Sequence, residues 1–405
     1  MYTQLLLPRS KVLAAFWLPA IFFLALGLRF LYVFVLGSQN PLEGDASGYF
    51  STVQQMIERN VYAYGQSEPN ARVTPGFPLF AYIILSTFSM RLDALLWAQI
   101  IVGAATVLPA YAYIRAITNH GWGLLAGLFV AIYPPFIYGT GILITETLFI
   151  FFLACFFLSW QWMVERTHLT TVSLSGFTLT LTILTRPTMF PVLAVAFIYF
   201  AWNARMRRWL LPYLIVTACC FLPWVLRNAL VLGEFTLLAS DSGNALLAGA
   251  YPYFREDVNY REMASLGLSQ TAYGIRVIVN GFIERPLEFL GWFSFGKLYY
   301  TFRSMWVSST LNFPQFYMYA GVLLHYLTLL LSLFALPLLI WRRSFLAVSF
   351  TAMLMFQLMF IPTVRYGAPF MLLMTFMVCQ AAFLVNSRYN PKILSNNRFS
   401  PSTKP

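Results

Sequence analysis

Charge is scarce in this chain. Asp, Glu, Lys and Arg together make up 10% of its 405 residues, whereas hydrophobic residues make up 59%. Soluble domains carry about 25% charged residues, so the shortage excludes an ordinary soluble enzyme and indicates a membrane protein. Cysteine is also rare: the four cysteines all lie within apolar runs, and none has the spacing of a zinc site. The sequence therefore predicts neither a disulfide framework nor a metal centre.

Long apolar runs account for most of the chain. A helix needs about 20 predominantly apolar residues to cross the hydrocarbon core of a bilayer. Segments of suitable composition cover residues 12–36, 94–114, 122–139, 143–164, 170–186, 187–203, 209–231, 317–341, 344–362 and 366–386. One more segment, 76–90, is apolar but short, and we expect a short or re-entrant helix there. The pattern predicts an all-α polytopic membrane protein with about 10–11 transmembrane helices.

The distribution of charge predicts the topology. The chain has 26 Lys and Arg against 14 Asp and Glu, a net charge of +12. Thirteen of the basic residues fall in segments that the positive-inside rule places in the cytoplasm, where the single acid is Glu165. The net charge is thus a topology signal, and no nucleic-acid partner is expected. Arg9 and Lys11 place the amino terminus inside, and the basic carboxyl-terminal tail is expected there too, in a plasma (inner) membrane.

The acidic residues are concentrated elsewhere. Two long segments, 37–75 and 232–315, are predicted to be extracytoplasmic and hold eleven of the fourteen carboxylates. An aromatic and basic stretch within the second, 284–306, is expected to form a juxtamembrane amphipathic helix. We expect residues 1–388 to form one transmembrane domain and 389–405 a short cytoplasmic tail, with the polar chemistry on the outer face.

The stretch "NPLEGDASGYF" places two acids just after the first apolar run. Asp45 is either a solvated loop carboxylate or an acid at the mouth of a cavity, able to take a proton from an acceptor hydroxyl or amine. Glu43 is two residues away, and Tyr49 follows in the same stretch. The sequence around these residues does not decide between the two interpretations.

Further charges mark the predicted outer face. Arg72 precedes a Pro-Gly-Phe-Pro turn and is suited either to a phosphate at the membrane surface or to lipid headgroups. Glu146 lies one turn into an apolar helix, where it either lines a polar cavity or is favoured by the helix dipole.

Two later segments bring more polar residues to this face. Arg227 lies where a helix leaves the membrane, and the polar residues that follow, including Asn244, are suited to bonding sugar hydroxyls. Arg365 and Tyr366 stand at the outer start of the last apolar run. Arg72, Arg227 and Arg365 thus approach one surface from separate parts of the chain, which is either an arrangement for anion binding or a coincidence of three interfacial arginines.

Six motifs in order carry a family resemblance. The series "GDASGYF", "RVTPGFPLF", "TETLF", "LTRP", "PWVLRNALVLGEF…GNALLAG" and "RYGAPF" resembles the multi-spanning, C-type glycosyltransferases of family 39 and their relatives. These include protein O-mannosyltransferases and the aminoarabinose transferases that modify lipid A. The resemblance runs from the first apolar segment to the last.

The resemblance implies a membrane glycosyltransferase (a hexosyl- or pentosyltransferase) that moves a sugar from a polyprenyl-phosphate donor to a glycan, lipid or protein acceptor. Asp45 matches the acid that serves as base or positions the acceptor, which implies inversion at the anomeric carbon. Many relatives carry an Asp-Glu pair there, whereas here Asp45 is single and Glu43 is displaced. Eight residues are expected to bind substrate, either because the resemblance implies it or because of their place at the predicted outer face. They are Glu43, Tyr49, Arg72, Glu146, Arg227, Asn244, Arg365 and Tyr366.

Cofactors and rival functions remain open at this point. No cofactor is firmly predicted; the acids Asp45 and Glu146 leave room for a divalent cation without requiring one, and no metal ligands are assigned. One rival is a flippase or transporter of lipid-linked sugars, although the sequence shows none of the internal repeats on which such transporters are often built. Another is a non-catalytic membrane subunit with the same fold.

Overall fold

The computed structural model describes residues 9–37, 41–42, 44–240, 242–308 and 313–389. Within them all regular structure is helical. The α-helices are α1 (Arg9–Phe30), α2 (Asp45–Arg59), α3 (Gly76–Thr87), α4 (Leu92–Ala105), α5 (Val107–Ile117), α6 (His120–Ile132), α7 (Pro134–Tyr138), α8 (Glu146–Glu165), α9 (Leu169–Thr185), α10 (Pro191–Trp202), α11 (Leu210–Leu232), α12 (Ser242–Ala250), α13 (Tyr260–Ser265), α14 (Gln270–Glu284), α15 (Pro286–Gly291), α16 (Lys297–Phe302), α17 (Gln315–Trp341), α18 (Phe345–Gln357) and α19 (Val364–Tyr389).

The prediction of a polytopic all-α membrane protein is confirmed. Six helical stretches in the described residues are long and apolar enough to span a bilayer: Phe16–Val35, Leu92–Ile117, Glu146–Glu165, Arg207–Leu232, Gln315–Trp341 and Val364–Ser387. The pair His120–Ile132 and Pro134–Gly141, bent by 57°, makes a seventh if it is one span. The bend falls before Pro134, whose ring fixes its own backbone and disfavours helix at the residue before it.

Four predicted membrane segments form shorter helices, including α3, α10 and α18. At about 1.5 Å per residue, α3 is about 18 Å long, less than the roughly 30 Å hydrocarbon core. Gly76 at its start lies against Leu184 and Thr185. Gln99, the eighth residue of α4, donates to the carbonyls of Thr140 and Ile142, close to the start of α8. Both flanks of α3 therefore lie at one end of the bundle, as expected for a segment that does not cross.

The described parts of the two predicted extracytoplasmic segments, 37–75 and 232–315, gather at that same end. The first contributes α2 and an irregular stretch between α2 and α3. The second contributes α12 to α16 and has its own small cluster of buried residues, around Leu247, Ala250, Tyr251 and Tyr273. The main apolar core, which includes Phe157, lies among the long helices. The two polar segments thus cover one end of an apolar bundle, and the charged residues discussed above meet beneath them.

Candidate active site

Glu146 is the buried centre of the charged cluster. It is the first residue of α8, where a carboxylate is favoured by the helix dipole, and its side chain is 1% exposed. Arg186, directly after α9, donates from Nη1 to its Oε1 at 2.5 Å. Arg365, in the first turn of α19, bonds Oε1 through Nε and Oε2 through Nη2, the latter at 3.2 Å. Burial of this carboxylate is therefore compensated by two guanidinium groups.

Arg365 also reaches Asp45. Its Nη1 donates to Asp45 Oδ2 at 2.5 Å, so one guanidinium bridges a buried and a half-exposed carboxylate. Asp45 begins α2, directly after Gly44, whose φ of +61° lies in the left-handed region that favours glycine. The Gly-Asp sequence thus turns the chain into α2 and places the carboxylate above Arg365.

A cavity of about 330 Å³ opens beside this cluster. Its lining includes six of the residues singled out from sequence: Asp45, Tyr49, Arg72, Asn244, Arg365 and Tyr366. Arg186 lines it as well, with its guanidinium carbon 4.8 Å from the centre of the Tyr366 ring, a cation–π contact. The structure therefore brings residues from five separate segments of the chain to one cavity.

The cavity has an excess of positive charge. Arg186 and Arg365 are offset by Glu146 and Asp45, whereas Arg72 forms no ion pair with any described residue. Tyr49 is buried against Tyr64, with ring centres 5.2 Å apart, and burial raises the pKa of its phenol above the ordinary range. The phenol of Tyr49 is thus an uncharged part of the cavity lining, and the guanidinium of Arg72 is available to an anion.

Arg227 lies outside the cavity lining. Its guanidinium donates to the carbonyls of Asn70 and Tyr62, both at 2.8 Å, and to Asn228 Oδ1 at 2.9 Å. The Asn70 side-chain oxygen in turn accepts from the backbone amide of Arg72 at 3.2 Å. Arg227 therefore fixes the turn that carries Arg72, a supporting position that differs from the substrate contact expected from sequence.

The opposite wall, residues 358–361, is held from behind. Lys297, fully buried, donates from Nζ to the carbonyls of Leu358 (2.8 Å) and Phe360 (3.1 Å). Ile361 donates its amide to the carbonyl of Ala245 in α12 at 2.9 Å, and a Cβ at Gly249 would lie 2.5 Å from the Phe360 carbonyl carbon. Burial lowers the pKa of Lys297 to about 7. This wall depends on the close approach of α12.

Other residues at the cavity were not among the substrate-binding positions selected from sequence. Arg186 belongs to the "LTRP" motif, and Gln357, the last residue of α18, accepts at 3.3 Å from Thr188, which also lines the cavity. A polar Gln in an apolar run was the available signal for that position. Glu43 falls outside the described residues, so its predicted role stays a prediction.

A shared metal ion does not suit this geometry. Arg365 occupies the bridging position between Asp45 and Glu146, and a guanidinium there offers donors where a cation requires lone pairs. No group of three His, Cys, Asp or Glu side chains in the described part of the chain is placed to hold a metal.

Comparison with protein families identifies one match. Residues 72–226 match the model of the family described as dolichyl-phosphate-mannose-protein mannosyltransferase. The matched region carries Arg72, Glu146 and Arg186, and it covers less than half of the chain. No curated protein sequence matches the chain significantly.

Comparison with solved structures shows the fold. The archaeal oligosaccharyltransferase AglB from Archaeoglobus fulgidus, in complex with an inhibitory peptide and a dolichol-phosphate, matches with a TM-score of 0.57 and 16% identity over 98% of this chain and 53% of its own. The same organism's oligosaccharyltransferase tethered to an acceptor peptide matches with a TM-score of 0.54 and 16% identity over 95% and 52%. ArnT from Cupriavidus metallidurans bound to undecaprenyl phosphate scores 0.44 at 12% identity, over 97% and 81%.

These findings confirm the resemblance drawn from the sequence motifs. The chain is similar to multi-spanning glycosyltransferases in its family match and has the fold of the oligosaccharyltransferase structures. It spans about half the length of those structures.

Proposed function

We propose that the protein is an integral-membrane glycosyltransferase that moves a sugar from a polyprenyl-phosphate donor to an acceptor, with Asp45 as the base. The observation that carries the proposal is Arg365, which joins Asp45 to the buried Glu146 at the edge of a 330 Å³ cavity. An acid that can accept the proton of the acceptor therefore lies next to the cations that can bind a phosphate, and Arg365 contacts both acids of the cluster. The proton-accepting acid and the phosphate-binding cations are both needed for displacement at an anomeric carbon.

The cations favour a phosphate as the leaving group. Arg72, Arg186 and Arg365 line the same cavity, and guanidinium groups bond phosphate oxygens in pairs. In a cavity partly shielded from water such contacts are stronger than in bulk solvent. Because Arg72 has no carboxylate partner among the described residues, it is the first guanidinium free to receive the donor phosphate.

The reaction is a single displacement. The acceptor hydroxyl gives its proton to Asp45, and its oxygen forms a bond to the anomeric carbon. The bond from that carbon to the phosphate oxygen breaks, and its electron pair leaves with the polyprenyl phosphate. One displacement inverts the anomeric centre. Arg365 links the two halves, because a phosphate that draws its Nη1 away releases the Asp45 carboxylate to accept the proton.

The similar proteins support a lipid-linked donor. One matched structure holds dolichol-phosphate, and another holds an acceptor peptide. For this chain the transferred group is a hexosyl or pentosyl unit, and the acceptor is a glycan, lipid or protein. We place the cavity on the extracytoplasmic face of the plasma (inner) membrane and both termini in the cytoplasm, following the basic residues of the opposite loops. Arg365 joins Asp45 and Glu146 directly, so the proposal does not require a metal ion.

The test uses the purified full chain in lipid nanodiscs with polyprenyl-phosphate sugars and candidate acceptors. Asp45→Asn is expected to lower turnover by about 10²–10⁴-fold, the usual contribution of general base catalysis. Asp93→Asn is the matched control, because Asp93 also pairs with an arginine, Arg91, but lies outside the cavity lining. It should leave turnover unchanged.

Three results would contradict the proposal in different ways. Unchanged turnover in Asp45→Asn would remove Asp45 from catalysis and leave transfer itself intact. Movement of donor across the bilayer without transfer would favour the flippase. Absence of both transfer and movement, with donor binding retained, would favour a non-catalytic subunit.

A further inference from the structure

A second cavity lies at the other end of the bundle. It has a volume of about 970 Å³ and opens between α10 and α18. Arg186 and Thr188, just before α10, and Gln357, the last residue of α18, all line the candidate active site. The cavity instead involves Trp202, the last residue of α10, and Phe345, the first of α18. It therefore faces the opposite leaflet of the bilayer, and we call it the α10–α18 groove.

Most of the residues that line the groove are apolar. Ile198, Trp202, Ile340 and Val348 line it with exposed side chains, and Trp202 is 86% exposed. From Val195 to Trp202 the lined part of α10 extends about 10 Å at 1.5 Å per residue, within the roughly 15 Å of one leaflet. An exposed apolar surface of this depth on a membrane helix pair is suited to an acyl chain.

The end of the groove nearest the membrane surface carries two cations. Arg205 and Arg343 line the groove, are exposed, and form no ion pair with any described residue. The turns that hold them, 203–209 and 341–344, contain five arginines and no acid. Glu165, the acid expected at this end, accepts from Gln161 at 2.9 Å instead. The groove thus combines an apolar trough with an uncompensated positive mouth.

Arg343 holds a conformation that costs free energy. Its φ is +52°, in the left-handed region at the end of α17, where glycine is the usual residue. The amide of Ser344 bonds the carbonyl of Leu339 at 2.9 Å, which fixes this turn. Strained positions of this kind point to a role for the side chain they hold. Here the strained turn places a guanidinium at the mouth of the groove.

We propose that the α10–α18 groove binds an anionic phospholipid of the leaflet opposite the candidate active site. Its phosphate contacts Arg205 and Arg343, and the upper part of an acyl chain fills the apolar trough. A zwitterionic lipid fits less well, because its own cation meets the two arginines. A second copy of the chain fits less well too, since a twofold contact here brings the arginines of both copies together without a carboxylate to offset them.

The test is native mass spectrometry of the delipidated full chain, titrated with phosphatidylglycerol or with phosphatidylcholine of the same acyl chains. The first phosphatidylglycerol should bind more tightly than the first phosphatidylcholine. A basic residue near an anionic headgroup contributes about fivefold in affinity, so Arg343→Gln should lose about fivefold and the double variant with Arg205→Gln about 25-fold.

A matched control and a stability check accompany these variants. Arg342→Gln removes the same charge from the same turn, but Arg342 lies over the Trp341 ring and does not line the groove. It should keep full affinity. Arg343→Gly removes the guanidinium and relieves the positive φ, so it should lose lipid affinity with unchanged or higher thermal stability.

Each contrary result is decisive. Equal binding of the two lipids would show that the groove makes only nonspecific contact with membrane lipids. Equal loss of affinity in Arg342→Gln and Arg343→Gln would show the same. A dimer that excludes phosphatidylglycerol from the groove would show that a second copy covers it.

Discussion

Replacing Glu146 by Gln tests whether this buried carboxylate holds the site together. The substitution keeps the shape of the side chain but leaves the guanidinium groups of Arg186 and Arg365 facing an amide that carries no charge. Those arginines are 11% and 21% exposed, and the carboxylate is 1% exposed. The cluster thus lies mostly away from solvent, and Asp45 is the one further carboxylate that pairs with these arginines among the described residues.

The expected loss follows from that burial. Removing one partner of a buried ion pair costs about 3–5 kcal/mol. Since both arginines retain some contact with water, we expect the lower part of that range, about 3 kcal/mol. At about 2 °C per kcal/mol, the value for larger domains, the unfolding temperature should fall by about 6 °C.

The assay is thermal unfolding of the purified chain in one detergent, followed by intrinsic fluorescence at one scan rate. Asp93→Asn is the control, because its ion pair with Arg91 is exposed and should not change the unfolding temperature. Adding Arg186→Met to Glu146→Gln should restore part of the loss, because it removes an uncompensated cation. A shift of Glu146→Gln no larger than that of Asp93→Asn, or losses that simply add in the double variant, would refute this account.

Three more predictions concern the supports of the cavity. Arg227→Lys should speed hydrogen exchange at the amides of Tyr64 and Arg72, measured by mass spectrometry, because one ammonium cannot hold both carbonyls; unchanged exchange would contradict it. Gly249→Ala should destabilise the chain by about 1–3 kcal/mol in thermal unfolding, because its Cβ meets the backbone of Phe360. A variant as stable as the wild type would show that residues 358–361 can shift to accommodate the added methyl group. For Lys297, with a pKa of about 7 when folded against 10.5, the cost of burying the charge is present below pH 7 and relieved as pH rises. The stability of the wild type relative to Lys297→Met should therefore rise between pH 7 and 9, and a flat difference would argue against it.

Much of the candidate site could be predicted because charge is costly in an apolar chain. Asp45, Glu146 and Arg365 stand out in sequence for that reason alone, and the structure brings all three together. Their pairing could not be predicted from the sequence: Arg365 lies 219 residues from Glu146 and 320 from Asp45. The packing of α2, α8, α9 and α19 determines which charges meet.

Arg186 and Arg227 show what the sequence alone does not decide. Both stand at the end of an apolar segment next to polar residues, and the sequence favoured Arg227 as the substrate contact. In the structure Arg186 lines the cavity, whereas Arg227 bonds the carbonyls of Asn70 and Tyr62 behind it. The direction of a side chain at a helix end depends on its neighbours in space, which a single sequence does not contain. The positions of the short helices α10 and α18 could be predicted from composition, but their lengths depend on tertiary packing.

The bridge formed by Arg365 also has a consequence for biogenesis. Its three members are supplied at the beginning, middle and end of synthesis, by α2, α8 and α19. Until α19 is inserted, Arg186 is the one ion-pair partner of Glu146 among the described residues, and Asp45 lacks its ion pair with Arg365. A chain that stops short of α19 therefore lacks the guanidinium that joins Asp45 to Glu146, and the cluster is complete only after α19 has been inserted.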